Sequence, residues 1–453
     1  LLQSMQESEL RSKVHYMKDT PIDYVTVKEK IRECVVTSIG KSSIREIVRL
    51  VNCIEKATGE KFIRMEMGVP GLPPSRVGIE AEIEALKKGV ASKYAMIEGV
   101  PELKSEIARF VKLFLDIDVN PAGCIPTVGS MQGGMATFMV ANRNDKNREG
   151  TLFIDPGFPV QKQQVKVLGH AYRSFDVYNY RGNKLKDKIE SYLETGRVSS
   201  ILYSSPNNPS WICFSGKELK IIGELANKYD VIVVEDLAYI CMDFRKDYSK
   251  PGEPPFQPTV AKYTDNYLLL ISSSKVFSYA GQRIGMMVVS DKLFNRKYPD
   301  LKRYYASDQF GHSMIYGALY ALSAGVCHSS QWGLAAILKE ANDGNYHFIE
   351  EVKEYGEKAR IMKEIFLKNG FTIVYDKDEG EPIADGFYFT IAYPGFSGNE
   401  LLEELLYYGI SAITLDITGS DRHEGLRACV SYVGWDQMNT LEYRLKKFRE
   451  HHS

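Results

Sequence analysis

No apolar run in the 453 residues approaches the ~20 residues that a membrane-spanning helix needs; stretches such as 231–234 and 267–271 end far short of that length. Membrane insertion is therefore excluded. Charge of one sign is also missing: 57 Lys and Arg against 58 Asp and Glu leave a net charge of −1, so neither nucleic acid nor an anionic membrane is expected as a partner. The seven cysteines at 34, 53, 124, 213, 241, 327 and 429 contain no Cys-x-x-Cys. Dispersed single thiols in a large chain suit a reducing compartment, and the cytoplasm is the expected location. The eight histidines contain no His-x-x-x-His, and no metal site is expected. Gly129-Ser-Met-Gln-Gly-Gly134 lacks the Gly-Lys-Ser/Thr end of a Walker sequence. Residues 1–9 lack the basic stretch and following apolar segment of a secretory signal.

What is present is an ordinary globular mix, 44% hydrophobic and 25% charged, which excludes disorder as the main state. A soft prior of about 150 residues per folding unit gives roughly three units. Residues 1 to about 60 read as charged and helical; Ser42-Ser43 is placed to cap a helix with apolar positions Ile44, Ile47, Val48, Val51 and Ile54. Residues 65–75 hold two Gly and three Pro and form a loop. Ile79, Ile83 and Leu86 then mark one helix, and Leu103, Ile107, Phe110, Val111 and Phe114 another. Segments 151–154, 200–203, 231–234, 267–271 and 284–289 are short, apolar and without polar alternation. Such runs suit strands covered on both faces of a mostly parallel sheet flanked by helices. Residues 313–370 are helical almost throughout, and 371–453 mix short strands with helices as a smaller α+β domain. The expected division is 1–75 (N-terminal arm and part of the small domain), 76–325 (large domain) and 326–453 (interdomain helix and small domain).

Several of these strands run directly into polar groups. Segment 151–154 leads to Asp155 and Phe158, 200–203 to Asn207 and Asn208, 231–234 to Asp236 and Tyr239, and 267–271 to Ser272 and Lys275. In open α/β sheets ligands bind beyond the carboxyl ends of the strands. Singly, each residue has an ordinary reading: a lone Lys is usually solvated and a lone Asp usually caps a turn. Jointly they suit one ligand. A lysine condenses with an aldehyde, and an Asp opposite a ring nitrogen keeps a pyridinium protonated. Phe158 can stack on a flat ring, while Tyr239 and Asn208 can both hydrogen-bond a phenolate oxygen. The helix start at Gly129, Ser130 and Met131 is a natural anion site, with Arg283 supplying a cationic fork. Each feature matches pyridoxal 5′-phosphate.

The run Ser272-Ser-Ser-Lys275-Val-Phe-Ser-Tyr-Ala-Gly-Gln-Arg283-Ile-Gly285 resembles the cofactor-lysine motif of the class I/II aminotransferases, the fold-type I pyridoxal-phosphate enzymes. The resemblance extends over most of the chain, in order. Tyr94-Ala-Met-Ile-Glu-Gly99 resembles the segment whose Tyr reaches the phosphate of the neighbouring subunit, which implies a homodimer. Gly129-Ser-Met resembles the phosphate-cradling turn, Phe158 the ring-stacking residue, and Asn208-Pro209 the family's Asn-Pro step. Asp236 and Tyr239 resemble the Asp-x-x-Tyr pair. Arg427 resembles the arginine that grips the substrate α-carboxylate, and Gly68 lies in the loop that the family brings close to the substrate. Two positions depart from the pattern: Trp211 replaces the glycine of Asn-Pro-Thr-Gly, so the loop is expected to be reshaped, and Ser205 replaces the common Asn.

The resemblance implies a pyridoxal-phosphate-dependent aminotransferase moving an amino group between an L-amino acid and a 2-oxo acid by a ping-pong route. Lys275, Asp236 and Tyr239 are its expected catalytic residues. Two alternatives share the cofactor: a β-eliminating carbon–sulfur lyase on the same fold, and a cofactor-binding regulatory module. The latter needs a DNA-binding domain ahead of residue 65, where no basic recognition helix is evident.

Overall fold

The computed structural model describes residues 19–34 and 38–453; the part of the N-terminal arm before residue 19 lies outside them. Two compact units are built from this chain. The larger comprises Leu72–Glu354 and Lys377–Ala384; the smaller takes the described residues up to Gly71 together with Tyr355–Asp376 and Asp385–Ser453.

The larger unit is organised around a seven-stranded sheet. Its strands are β1 (Cys124–Thr127), β2 (Gly150–Asp155), β3 (Ala171–Asp176), β4 (Val198–Ser204), β5 (Ile232–Leu237), β6 (Tyr267–Ser272) and β7 (Gly285–Val289). Their spatial order is β1-β7-β6-β5-β4-β2-β3. Strands β6, β5, β4, β2 and β3 pair in parallel, whereas β7 is antiparallel to both β1 and β6. Every residue of β4, β5 and β6 is buried, as unbroken apolar runs require when helices cover both faces. Two edge strands escape the sequence reading. β1 is four residues long and contains Pro126, tolerable only at an edge or strand start, and β3 alternates exposed and half-buried positions before its buried end.

Helices α1 (Arg76–Lys87), α2 (Pro101–Leu115), α3 (Gly129–Ala141), α4 (Pro159–Val167), α5 (Gly216–Tyr229) and α6 (His328–Asn342) belong to the same unit. α5 shows how the crossovers are delimited. Ser215 and Glu218 form a reciprocal capping box at its start, and Asp230 ends it in the left-handed region at φ 50°. Ile125, Phe138, Phe153, Val234, Leu268 and Met287 form the centre of the core. α6 packs on α1 and α2, so the expected boundary at 325/326 moves to Glu354/Tyr355: the helix read as an interdomain element is part of the larger unit. α1 also differs from its sequence reading. Gly78, Glu82 and Ala85 face inward, while Ile83 and Leu86 are 45% and 48% exposed.

The smaller unit carries a four-stranded antiparallel sheet. β8 (Thr372–Ile373) and β11 (Leu426–Cys429) flank β9 (Tyr388–Ala392), and β10 (Ile413–Thr414) pairs with β11. Helices Ile44–Thr58 and Gly398–Tyr407 each open on a Ser/Glu capping box, Ser43 with Glu46 and Ser397 with Glu400. Ile63–Arg64 pairs in parallel with Ile410–Ser411, so N-terminal residues complete this unit. Among the described residues no helix is long and apolar enough to cross a membrane.

The loop after Ile63–Arg64 is held against β11 and the residues beyond it. Cys429 N–H donates to the Met65 carbonyl (2.9 Å), Ser431 Oγ to the Val69 carbonyl (2.5 Å), and Gly71 N–H to Tyr355 Oη (3.2 Å). A Cβ at Gly71 collides with the carbonyl oxygen of Ser431, a backbone atom that cannot swing aside. Gly71→Ala should therefore destabilise the protein by about 1–3 kcal/mol, measured as a lowered urea midpoint with an unchanged slope.

Candidate active site

The carboxyl ends of the parallel strands gather most of the residues expected from the sequence. β2 ends at Asp155, and the following cis Asp155–Pro156 bond leads to Phe158, the half-buried N-cap of α4. β4 ends at Ser204 beside Asp236 of β5, its register partner. Asn208 (8% exposed) and Tyr239 (4%) are buried in the loops that follow these two strands. β6 ends at Ser272, whose Oγ accepts from Ser274 N–H (3.1 Å). Half-buried Lys275 follows on the same turn, its carbonyl accepting from Ser278 N–H (3.2 Å). Four residues on, Tyr279 anchors that turn: its Oη donates to the buried Glu82 on α1 (2.7 Å).

Antiparallel β7 brings the cationic end of the site into place. Its first residue, Gly285, pairs with both Thr127 of β1 and Ser272 of β6. The residues just before β7 therefore lie at the carboxyl ends of its neighbours, where α3 begins. Gly129 takes φ +63°, and a Cβ built on it comes within 2.6 Å of Arg283 Nη2. The guanidinium thus sits against the amino end of α3, where the unsatisfied N–H groups and the helix dipole favour an anion. Ser130 Oγ is shielded from water and has no hydrogen-bond partner among the described residues. Met131 contributes differently: its side chain is 44% exposed, and its carbonyl accepts from Gln164 Nε2 (2.8 Å).

Asp236 is the electrostatic centre of this unit's site. Burial pushes its carboxyl up to about 6, against the lowering effect of Gln161 Nε2 on Oδ2 (2.7 Å) and Ala238 N–H on Oδ1 (3.2 Å). A shielded carboxyl of this kind is completed by a cation. Together with the anion-ready cradle at Gly129, Ser130 and Arg283, it fits a ligand carrying a protonated ring nitrogen at one end and a phosphate at the other. Pyridoxal 5′-phosphate meets both demands. Gln161 was not legible as a site residue, because its partner stands 75 positions away and no short motif joins them.

Two expected residues belong to the smaller unit. Arg427, in β11, is 1% exposed; its Nη2 donates to the Glu66 carbonyl (2.6 Å), and its guanidinium lies 4.6 Å from the ring centroid of Tyr388. Gly68 lies against the Tyr388 hydroxyl. Tyr388 therefore joins Arg427 and Gly68 in one cluster, a connection that the sequence did not signal. Tyr94 stands apart: it is 96% exposed and packs into no site among the described residues. Among the described residues no group of His, Cys, Asp or Glu is arranged to hold a metal ion.

The burial of acids gives a pH signature. Asp236 is raised to about 6, and Glu235 and Asp155 to about 7, each mainly by desolvation. The folded chain keeps these protons at pH values where the unfolded chain has released them, so cofactor-free protein should lose stability as pH rises from about 4 to 7. Asp236→Asn should remove on the order of 3 kcal/mol of that decline, the equivalent of a shift from 3.8 to about 6. Gln161→Leu should move the Asp236 part of the decline to higher pH, and urea unfolding across pH measures both.

Comparison with known proteins shows the family and the fold. The family model "Aminotransferase class I and II" matches residues 60–381. A probable aspartate aminotransferase of Methanocaldococcus jannaschii is 26% identical over 351 residues, covering 72% of this chain and 86% of that protein. An LL-diaminopimelate aminotransferase of Natranaerobius thermophilus is 24% identical, covering 71% of this chain and 76% of that protein. In fold, the chain is similar to an alanine aminotransferase of Pyrococcus furiosus (TM-score 0.73, 20% identity, 91% and 98% of the two chains). It is equally similar to an aspartate aminotransferase of Thermotoga maritima (TM-score 0.73, 18% identity, 93% and 99%). With the family model spanning most of its length, this chain belongs to the class I and II aminotransferases, pyridoxal-phosphate-dependent transaminases of fold type I.

Proposed function

We propose that the enzyme moves the amino group of an L-amino acid to a 2-oxo acid by two half-reactions that use the same residues in turn. The observation that carries the assignment of roles is the buried Asp236 carboxyl, held by Gln161 on the sheet edge from which Lys275 also rises. The bound cofactor supplies an electron sink for the pair left at the substrate α-carbon. Lys275 Nζ is the base that takes the α-proton and the acid that returns it, a role ordinarily contributing about 10²–10⁴-fold. Asp236 holds the proton on the ring nitrogen, Phe158 covers one face of the ring, and Tyr239 and Asn208 donate to its oxygen. Arg283, Ser130 and the N–H groups at Gly129 and Met131 bind the phosphate, with Ser272 beside them. Arg427 takes the substrate carboxylate as a two-pronged fork, with Gly68 leaving room for it.

Two further features belong to the same proposal. Ile83, Leu86 and Met96 (62% exposed) form outward apolar positions near Tyr94 in sequence. A twofold homodimer covers them while passing Tyr94 to the partner's phosphate. All seven cysteines are free, which supports a cytoplasmic setting.

Holoenzyme mixed with a panel of L-amino acids should release 2-oxo acid up to one equivalent per site and no ammonia, and a second 2-oxo acid should then be aminated. Ammonia in step with 2-oxo acid would assign the lyase reaction instead. Lys275→Ala should abolish the visible band and turnover, and Arg427→Lys should raise the donor KM by about 10–100-fold. In sedimentation the wild type should run at twice the mass of one chain, and the pair Ile83→Glu and Leu86→Glu should run as single chains.

A further inference from the structure

Trp211 occupies a position where its backbone and its side chain make opposite demands. Its φ is +64°, in the left-handed region that glycine enters freely and a bulky residue rarely enters. The indole is nevertheless fully buried. The backbone is fixed from both sides: Trp211 N–H donates to the Asn207 carbonyl (3.0 Å), and Asn207 N–H to the Ile212 carbonyl (2.9 Å). Asn207 braces the turn further. Its Oδ1 accepts from Ser210 N–H (3.1 Å) and Oγ (2.7 Å), and its Nδ2 donates to the Pro156 carbonyl (2.8 Å) in the loop that carries Phe158. A strained conformation persists where its surroundings over-determine it, and such positions gather at functional sites.

The indole meets the ring of Tyr239 edge to face, with centroids 5.4 Å apart and planes at 66°. This geometry is favourable for an aromatic pair and restrains the tilt of the Tyr239 ring, hence the direction of its hydroxyl. Through one side chain, the loop bearing Asn208 is thereby coupled to the turn bearing Tyr239. We infer that Trp211 is a positioning residue that sets the hydroxyl of Tyr239 toward the ring oxygen of the cofactor, a role that a glycine at this position cannot fill. The inference rests on the roles proposed above for Lys275 and Tyr239.

The test follows the visible band of holoenzyme as a function of pH. The Tyr239 hydroxyl draws charge from the ring oxygen, so its loss strengthens the hold on the proton at Lys275 Nζ and raises the titration midpoint. Tyr239→Phe should raise that midpoint. Trp211→Ala and Trp211→Gly should raise it in the same direction by about half a pH unit or more, and Trp211→Phe, which keeps an aromatic edge, should restore most of the wild-type value. In the Tyr239→Phe background, Trp211→Ala should add no further shift. Should Trp211→Ala not fold, the contrast between Trp211→Gly, which relieves the backbone, and Trp211→Phe decides on the same readout. Wild-type midpoints in Trp211→Ala and Trp211→Gly, beside a shifted Tyr239→Phe, would overturn the inference alone. An unshifted Tyr239→Phe, or borohydride-reduced wild type with no label on Lys275, would overturn the underlying roles as well.

Discussion

The structure of the larger unit turns on one carboxyl group withdrawn from water. Asp236 lies at the end of a central strand, 5% exposed, with Gln161 Nε2 and the Ala238 N–H sharing its charge. Desolvation opposes its ionisation, and an adjacent cation reverses that balance. In the proposed function a protonated ring supplies that cation, and its binding is linked to deprotonation of the carboxyl. The neighbouring Glu235 shows the other use of a buried acid. Alternation along β5 sends it to the opposite face, where Thr259 Oγ1 (2.6 Å) and Val260 N–H (3.3 Å) donate to it. Of two adjacent acids on one strand, Glu235 is held by the scaffold, and Asp236 is the one proposed to serve the ligand.

The antiparallel β7 supplies the second constraint. A wholly parallel sheet would place the amino end of that strand away from the other strands' carboxyl ends. Its reversal delivers Arg283 to the same edge as Lys275, the two lying eight positions apart within the turn from β6 into β7. The amino end of α3 meets this turn because β1 is the other neighbour of β7. Gly129 leaves the space that the guanidinium occupies. Cation, helix terminus and lysine are therefore gathered by strand order.

What the sequence disclosed follows from how locally each feature is encoded. Strands covered on both faces were legible because their apolar runs are uninterrupted, as in β5 and β6. Edge strands β1 and β3 were not, since a short strand with a proline and a strand with mixed exposure resemble loops. α1 was legible as a helix from Ile79, Ile83 and Leu86, but not that Ile83 and Leu86 face outward, because a periodic apolar stripe does not reveal which surface covers it. Most strand-end groups were legible, each being placed by a few neighbouring residues. Gln161, Tyr388 and the Tyr279–Glu82 pair were hidden, their partners being supplied only by tertiary packing. Trp211 was visible as a departure from a pattern. That it nonetheless takes a left-handed backbone, against a tyrosine ring, emerged only from the fold.

The parallel pairing of Ile63–Arg64 with Ile410–Ser411 joins positions nearly 350 residues apart. During synthesis at about 5–20 residues per second, the early partner waits roughly 20–70 s for the late one to emerge. Over that interval the helix Ile44–Thr58 lacks the completed unit in which Ile47, Leu50, Val51 and Ile54 are buried. The larger unit, apart from its Lys377–Ala384 segment, has meanwhile left the ribosome and can condense first. The smaller unit is consequently completed after the larger one, and the apolar face of Ile44–Thr58 has to wait for residues translated about 350 positions later.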